Sequence, residues 1–138
     1  MMRIVAYRDH HFDGVDRLWL RAFPDDPPRN RAANSIPPKL AQEDELFWVA
    51  LDEQDTVIGT IMAGWDGHRG WLYSLAVDPD HRFVGLGSAL VETAISGLAG
   101  RGCTKVNLQI RAVNEGLVTF YEKLGFQTEP RISMGREI

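Results

Sequence analysis

Apolar positions recur along this chain in two rhythms, one of period two and one of period near 3.6, and the switches between them mark out the elements. Arg3 to Tyr7 reads as a first strand. Asp9 is placed to cap a helix over about His11 to Ala22, where Phe12, Val15, Leu18, Trp19 and Phe23 fall at helical spacing. Pro24 to Pro28 ends it. Two pairs of prolines make this the most loop-like part of the chain, and the polar stretch Arg29 to Glu45 is expected to hold one short helix near Ile36 to Gln42. Leu46 to Leu51 is a strand, Asp52 to Asp55 a hairpin turn, and Thr56 to Trp65 the next strand. Asp66-Gly67-His68-Arg69-Gly70 turns back into Trp71 to Val77. Connections this short make the three strands antiparallel neighbours.

The second half alternates strand and helix. From about Val84 to Ala99, Leu86, Leu90, Ala94, Gly97 and Leu98 share one stripe, and Gly100 and Gly102 close the helix. Lys105 to Arg111 sets Val106, Leu108 and Ile110 against Asn107, Gln109 and Arg111, the alternation of a half-buried strand. A last helix after Asn114 carries Leu117, Val118, Tyr121 and Leu124, with Gly125 where a C-terminal cap belongs. Phe126 to Thr128 and Ile132 to Gly135 predict a final strand pair. A long helix-containing connection lets the Trp71 and Lys105 strands lie parallel. The order β-α-α-β-β-β-α-β-α-β-β describes an α/β protein of mixed α+β type. Its sheet is mixed, with helices on both faces, in one domain over residues 1–138.

Composition narrows the picture little. The 138 residues suffice for one core, and 44% hydrophobic with 25% charged residues is ordinary for a soluble globular chain. A net charge of −4 gives no broad attraction to nucleic acid or to an anionic membrane, so neither is an expected partner. Cys103 is the only cysteine, so no internal disulfide forms, and it reads as a buried structural thiol. Met1 to Ile4 lacks the apolar run of a signal peptide, which points to the cytoplasm. His10-His11 reads as surface at a helix start, and no His, Cys or carboxylate spacing suggests a metal.

The chemistry concentrates after the Trp71 strand. Asp78-Pro79-Asp80 is a turn, and Arg82-x-x-Gly85-x-Gly87 then opens directly into a helix. Unpaired N–H groups of a first helical turn, with the helix dipole, favour an anion. Glycine lets a phosphate approach the main chain, and arginine suits phosphate geometry. No Lys-Ser/Thr pair follows, so this is not a Walker A loop. Position 90 is Leu90, so the third glycine of a dinucleotide fingerprint is missing.

Arg82 to Gly87 resembles the hallmark of the GNAT superfamily of acetyl-CoA-dependent N-acyltransferases, Gln/Arg-x-x-Gly-x-Gly/Ala. Asn114 followed by Phe120-Tyr121-Glu122-Lys123-Leu124-Gly125-Phe126 is similar to the family's Asn…Tyr-x-x-x-Gly-Phe segment. The likeness covers about Val57 to Phe126. Within the family, Gly64 to Gly70 and Arg101-Gly102-Cys103 look most like the YpeA-type bacterial members.

The resemblance implies a twisted, mostly antiparallel sheet, splayed between the fourth and fifth strands, with the pantetheine arm of acetyl-CoA in the opening. The main chain of Leu75, Ala76 and Val77 would pair with that arm and polarise the thioester. Arg82, Phe83, Val84, Gly85, Leu86, Gly87 and Ser88 would grip the pyrophosphate. Asn114, a natural helix cap, would also bond the CoA arm. Tyr121 would protonate the leaving thiolate. The implied activity is N-acetyl transfer to the primary amine of a small molecule or peptide, by direct attack in a ternary complex and without a metal. Several members place glutamate where this chain has Gln109, which cannot act as a base. His68, Asp66 and Glu45 are the alternatives, with water as another. That missing carboxylate also admits a non-catalytic acyl-CoA-binding module. The last strands leave a homodimer open.

Overall fold

The structure is a computed structural model that describes residues 2–82 and 85–138. Its longest strand is β3 (Val57–Trp65), which lies among β1 (Arg3–Ala6), β2 (Phe47–Leu51) and β4 (Gly70–Val77). The first seven residues of β3 are buried and none of the nine is charged, as a central strand covered on both faces requires. Neighbours pair antiparallel in the order β1-β2-β3-β4, through pairs such as Ile4↔Ala50, Val49↔Thr60 and Ala63↔Leu72. A short β5 (Val106–Asn107) joins β4 in parallel, through Gly70↔Val106 and Trp71↔Asn107. The sheet is mixed and mostly antiparallel, as expected.

Its two faces take different helices. Phe47, Val49, Leu51, Met62 and Ala76 share a core with Val15, Leu18 and Trp19 of α1 (Phe12–Ala22) and with Ala32 and Ile36 of α2 (Ala32–Ala41). The opposite face meets α3 (Leu86–Ala99). A Cβ on Gly59 of β3 would come 2.9 Å from Leu90, and one on Gly97 of α3 would come 2.8 Å from the Trp48 indole. Leu86, Leu90 and Leu98 are fully buried, each contributing about 1.5–3 kcal/mol. α3 ends where expected: Gly102 takes φ +93, and Cys103 N–H closes back on Leu98 O at 3.2 Å.

The described residues form two compact units, Met1–Leu108 and Gln109–Ile138. The first holds the sheet and α1 to α3. The second holds a 3-10 turn, Ala112–Asn114, and α4 (Leu117–Glu122). Gly125, at φ +93, closes α4 as expected: Phe126 N–H bonds Tyr121 O at 3.1 Å and Gly125 N–H bonds Glu122 O at 3.0 Å.

Several elements differ from the sequence reading. Asp9 does not cap α1. It lies inside a 3-10 turn, Asp9–His11, where the Arg8 N–H donates to His11 Nδ1 at 2.9 Å. α2 begins at Ala32 and runs through Pro37 and Pro38. Those rings leave the carbonyls of Ala33 and Asn34 without helical donors, but all four residues are exposed and water can serve. β5 covers two residues, not Lys105 to Arg111. Phe126 to Thr128 and Ile132 to Gly135 form no strand among the described residues, and Ile132 and Met134 are 93% and 91% exposed. Without apolar burial there is little to offset the entropy of ordering a hairpin.

Candidate active site

β4 has two different edges. One pairs with β3 along most of its length. On the other, the ladder to β5 stops after Trp71, so Leu72 to Val77 have no further strand partner there among the described residues. Backbone N–H and C=O groups on such an edge are available to a ligand. Leu75 and Val77 are half-buried and Ala76 is buried.

The edge is shaped by a bulge. Register moves from Thr60↔Ala76 to Met62↔Tyr73, so Ser74 and Leu75 together oppose Ile61. Ser74 takes φ +52, a left-handed conformation that costs a non-glycine residue roughly 1 kcal/mol. A buried relay holds it there. Trp19 Nε1–H of α1 donates to Thr60 Oγ1 at 2.8 Å, and the Thr60 hydroxyl donates to Ser74 O at 2.9 Å. Sequence reading missed this relay. Its only trace is that Thr60 is the sole polar side chain in Val57 to Ala63.

The turn after β4 is tied to α1. Asp78 is buried, and its Oδ1 accepts the Asp80 N–H at 2.9 Å. Its Oδ2 accepts from Arg21 at 2.7 Å. Arg21 was also missed, because its partner lies 57 positions on. A 3-10 turn, Pro79–His81, leads to exposed Arg82. Phe83 and Val84, two of the expected phosphate contacts, lie outside the described residues. Gly85 occupies the N-cap of α3 at φ +74, a conformation suited to glycine, and no side chain caps the helix. The first helical bond here runs from Ala89 N–H to Gly85 O at 3.1 Å. The N–H groups of Leu86, Gly87 and Ser88 precede it, and none has a helical partner among the described residues.

The second unit holds different side chains. Tyr121 is buried, its ring edge-on to Phe120 and Phe126 at centroid distances of 4.9 and 5.6 Å. Burial pushes its phenol up to about 12, so it is protonated at neutral pH. Asn114 ends the 3-10 turn and is exposed; Gly116 holds the cap position of α4, so Asn114 is not that cap. The Gln109 amide donates to Ser133 Oγ.

His68 and Asp66 sit in the exposed turn between β3 and β4. Asp66 Oδ1 accepts the N–H groups of His68 at 2.7 Å and Arg69 at 2.8 Å. The Arg69 and His68 amides hold this carboxyl below the usual carboxylate range, which makes it a weak base. Glu45 is exposed at φ +57. Cys103 is buried, as expected of a structural thiol, with Sγ–H donating to Lys105 O at 3.2 Å. His11 is a correction: only His10 is at the surface, and His11 is 6% exposed. Among the described residues, no group of three metal-ligating side chains occurs, and no helix is long and apolar enough to cross a membrane.

A mixed five-stranded sheet with a curtailed parallel pair, whose fourth strand leads to an uncapped helix N-terminus, is the fold of GNAT-type acyltransferases. The model of the acetyltransferase (GNAT) family matches residues 11–126. An acetyltransferase of Yersinia pestis (strain Pestoides F) is 36% identical over 142 residues, spanning 99% of this chain and 96% of that protein. Two solved structures share the fold. The NatC complex bound to Gag peptide and CoA has a TM-score of 0.80 at 24% identity, covering 95% of this chain and 87% of that one. The ribosomal-protein-S18-alanine N-acetyltransferase of Escherichia coli scores 0.73 at 24% identity, covering 92% and 78%. The chain belongs to the GNAT acetyltransferase family and is an acyltransferase.

Proposed function

We propose that this chain transfers acetyl from acetyl-CoA to a primary amine, by direct attack on the thioester in a ternary complex. One observation carries the reading: the edge of β4 beyond Trp71, without a strand partner among the described residues, is followed by Arg82 and the uncapped N-terminus of α3. An acyl-CoA presents pantetheine amides and a pyrophosphate, and this path offers backbone partners for the first and helix N–H groups for the second. Leu75, Ala76 and Val77 bond the pantetheine arm, and one N–H there stabilises the oxyanion of the tetrahedral intermediate. Arg82, Gly85, Leu86, Gly87 and Ser88 take the pyrophosphate, with Phe83 and Val84 between them in sequence. Asn114, free of a capping role, is a further contact to the CoA arm.

Tyr121 is the proposed acid for the departing thiolate. Its phenol is less acidic than a free thiol, whose pKa is near 8.5, so it acts as the C–S bond breaks and a thiolate without water beside it is strongly basic. The amine gives up its proton to His68 or to solvent, since Gln109 carries no carboxylate. We assign residues 1–138 to a single GNAT domain. On Gly64 to Gly70 and Arg101 to Cys103 we place the chain with the YpeA-type members.

The acceptor is a small-molecule or peptide amine. The NatC complex holds a Gag peptide and the bacterial enzyme is named for a protein alanine, and this chain shares their fold. The test is a panel of peptides with free N-termini, lysine, polyamines, amino acids and aminoglycosides, each incubated with acetyl-CoA while thiol release is read. Amine-dependent release with an acetylated product is expected. Binding of acetyl-CoA with no release by any amine would leave the non-catalytic module as the better account.

A further inference from the structure

We propose that Tyr73 positions the acceptor: its exposed ring, on the face of β4 away from α3 and two residues before Leu75, is the wall on which a cationic amine rests before it attacks the thioester. The inference rests on the acetyl-transfer reading above and adds the side from which the acceptor comes.

The placement follows from the strand. Directly opposed residues of an antiparallel pair share a face. Tyr73 opposes Met62, and Met62 lies in the core beneath α1 and α2. The residue before it points the other way: a Cβ on Gly70 would come 2.7 Å from Cys103 Sγ and 3.0 Å from Leu98 of α3, and Leu72 shares the side of Gly70 by alternation. The bulge at Ser74 and Leu75 returns Ala76 to the side of Tyr73.

On that face the helical cover stops short of Tyr73. Met62 and Ala76 are 4% and 3% exposed, but Tyr73 is 51% exposed. Its diagonal neighbour on β3 is Gly64, which pairs with Trp71 and whose Cβ position would lie 3.5 Å from Tyr73 Cε2, so the ring is bordered there by backbone and not by a bulky side chain. A large aromatic left half open on an inner strand, beside an edge that has lost its partner, is placed for contact with a ligand. α3 covers the other face of β4, so an amine reaches the Leu75 to Val77 edge most directly over Tyr73.

The chemistry of the wall fits the substrate. An alkylamine has a pKa near 10 and arrives at neutral pH as an ammonium. Aromatic faces attract such cations. The Asp66 carboxylate adds negative potential from the adjoining turn. After partial burial, it is the second cause that raises the phenol pKa of Tyr73.

Steady-state kinetics of Tyr73→Ala, Tyr73→Gln and Tyr73→Phe, with the best amine of the panel, test this. Each variant's Tm is read first, and Gln keeps bulk without an aromatic face should Ala fail to fold. Removing the face should raise the amine KM roughly 2- to 30-fold and leave the acetyl-CoA KM unchanged. Phe should stay close to wild type. An unchanged amine KM in Ala or Gln overturns the proposal, as does an equal rise in both KM values, which would make Tyr73 a packing residue. Phe failing as badly as Ala also overturns it, since the hydroxyl would then matter and not the ring. A wild type that turns over no amine defeats the transfer reading itself, a different outcome from wild-type turnover with indifferent Tyr73 variants.

Discussion

Tyr121 and His11 are both buried ionisable side chains, and each makes a distinct prediction. Tyr121→Phe keeps the ring against Phe120 and Phe126 but removes the proton. Its kcat should fall roughly 10²-fold, with acetyl-CoA affinity little changed; stopped-turnover assays of thiol release and a separate binding titration read the two. Full activity would reduce Tyr121 to a core aromatic. His11 loses affinity for protons on folding, chiefly through burial and then through His10, Arg8 and Arg3. A pKa depressed below 6.5 means that the unfolded chain binds the proton more readily. The His11 contribution is therefore complete above pH 6.5 and is lost as pH falls towards and through the folded value. Urea midpoints for wild type should drop between pH 7 and pH 5 by more than those of His11→Asn, and parallel curves would contradict this. Single residues were unevenly legible. A motif singled out Tyr121, and the burial of Cys103 came through its setting. The burial of His11 could not be read, because a polar pair at a helix start gives no sign of which member turns inward.

Among the elements, β1 to β4 were legible because the apolar pattern there coincides with burial and with short turns. The pattern failed where those conditions part. Val106, Leu108 and Ile110 alternate cleanly, but alternation reports an extended chain and not a neighbour within hydrogen-bond reach, so β5 stops at Asn107. The short helix expected near Ile36 to Gln42 in fact begins at Ala32, and Pro37 and Pro38 lie inside it because on an exposed helix face the lost bonds pass to water. The bulge in β4 had no sequence signal beyond Thr60, and it is testable there. Thr60→Val is nearly isosteric but leaves the buried Trp19 N–H and the Ser74 carbonyl without their partner. It should cost about 1–3 kcal/mol in chemical denaturation. Because the bulge shapes the Leu75 to Val77 edge, it should also raise the acetyl-CoA KM. A stability loss with an unchanged KM would separate the bulge from the site.

The whole molecule solves an electrostatic problem: a chain of net charge −4 must hold a polyphosphate. No broad basic surface is needed if the positive potential is local, at the first turn of α3 and Arg82. The succession of a strand, a turn and a glycine-bearing helix start was readable from sequence, because these elements are contiguous. The Arg21–Asp78 contact that ties the turn to α1 was not, because it joins residues far apart in the chain. The most direct measurement is the shift in Tm that acetyl-CoA produces in wild type and in a Gly85→Val, Gly87→Val double variant, each set against its own ligand-free value. Wild type should be stabilised with a concentration dependence set by ordinary linkage. The double variant should show no shift, because side chains at these two positions keep phosphate from the backbone amides. An equal shift in the double variant would contradict the assignment of acyl-CoA to the N-terminus of α3.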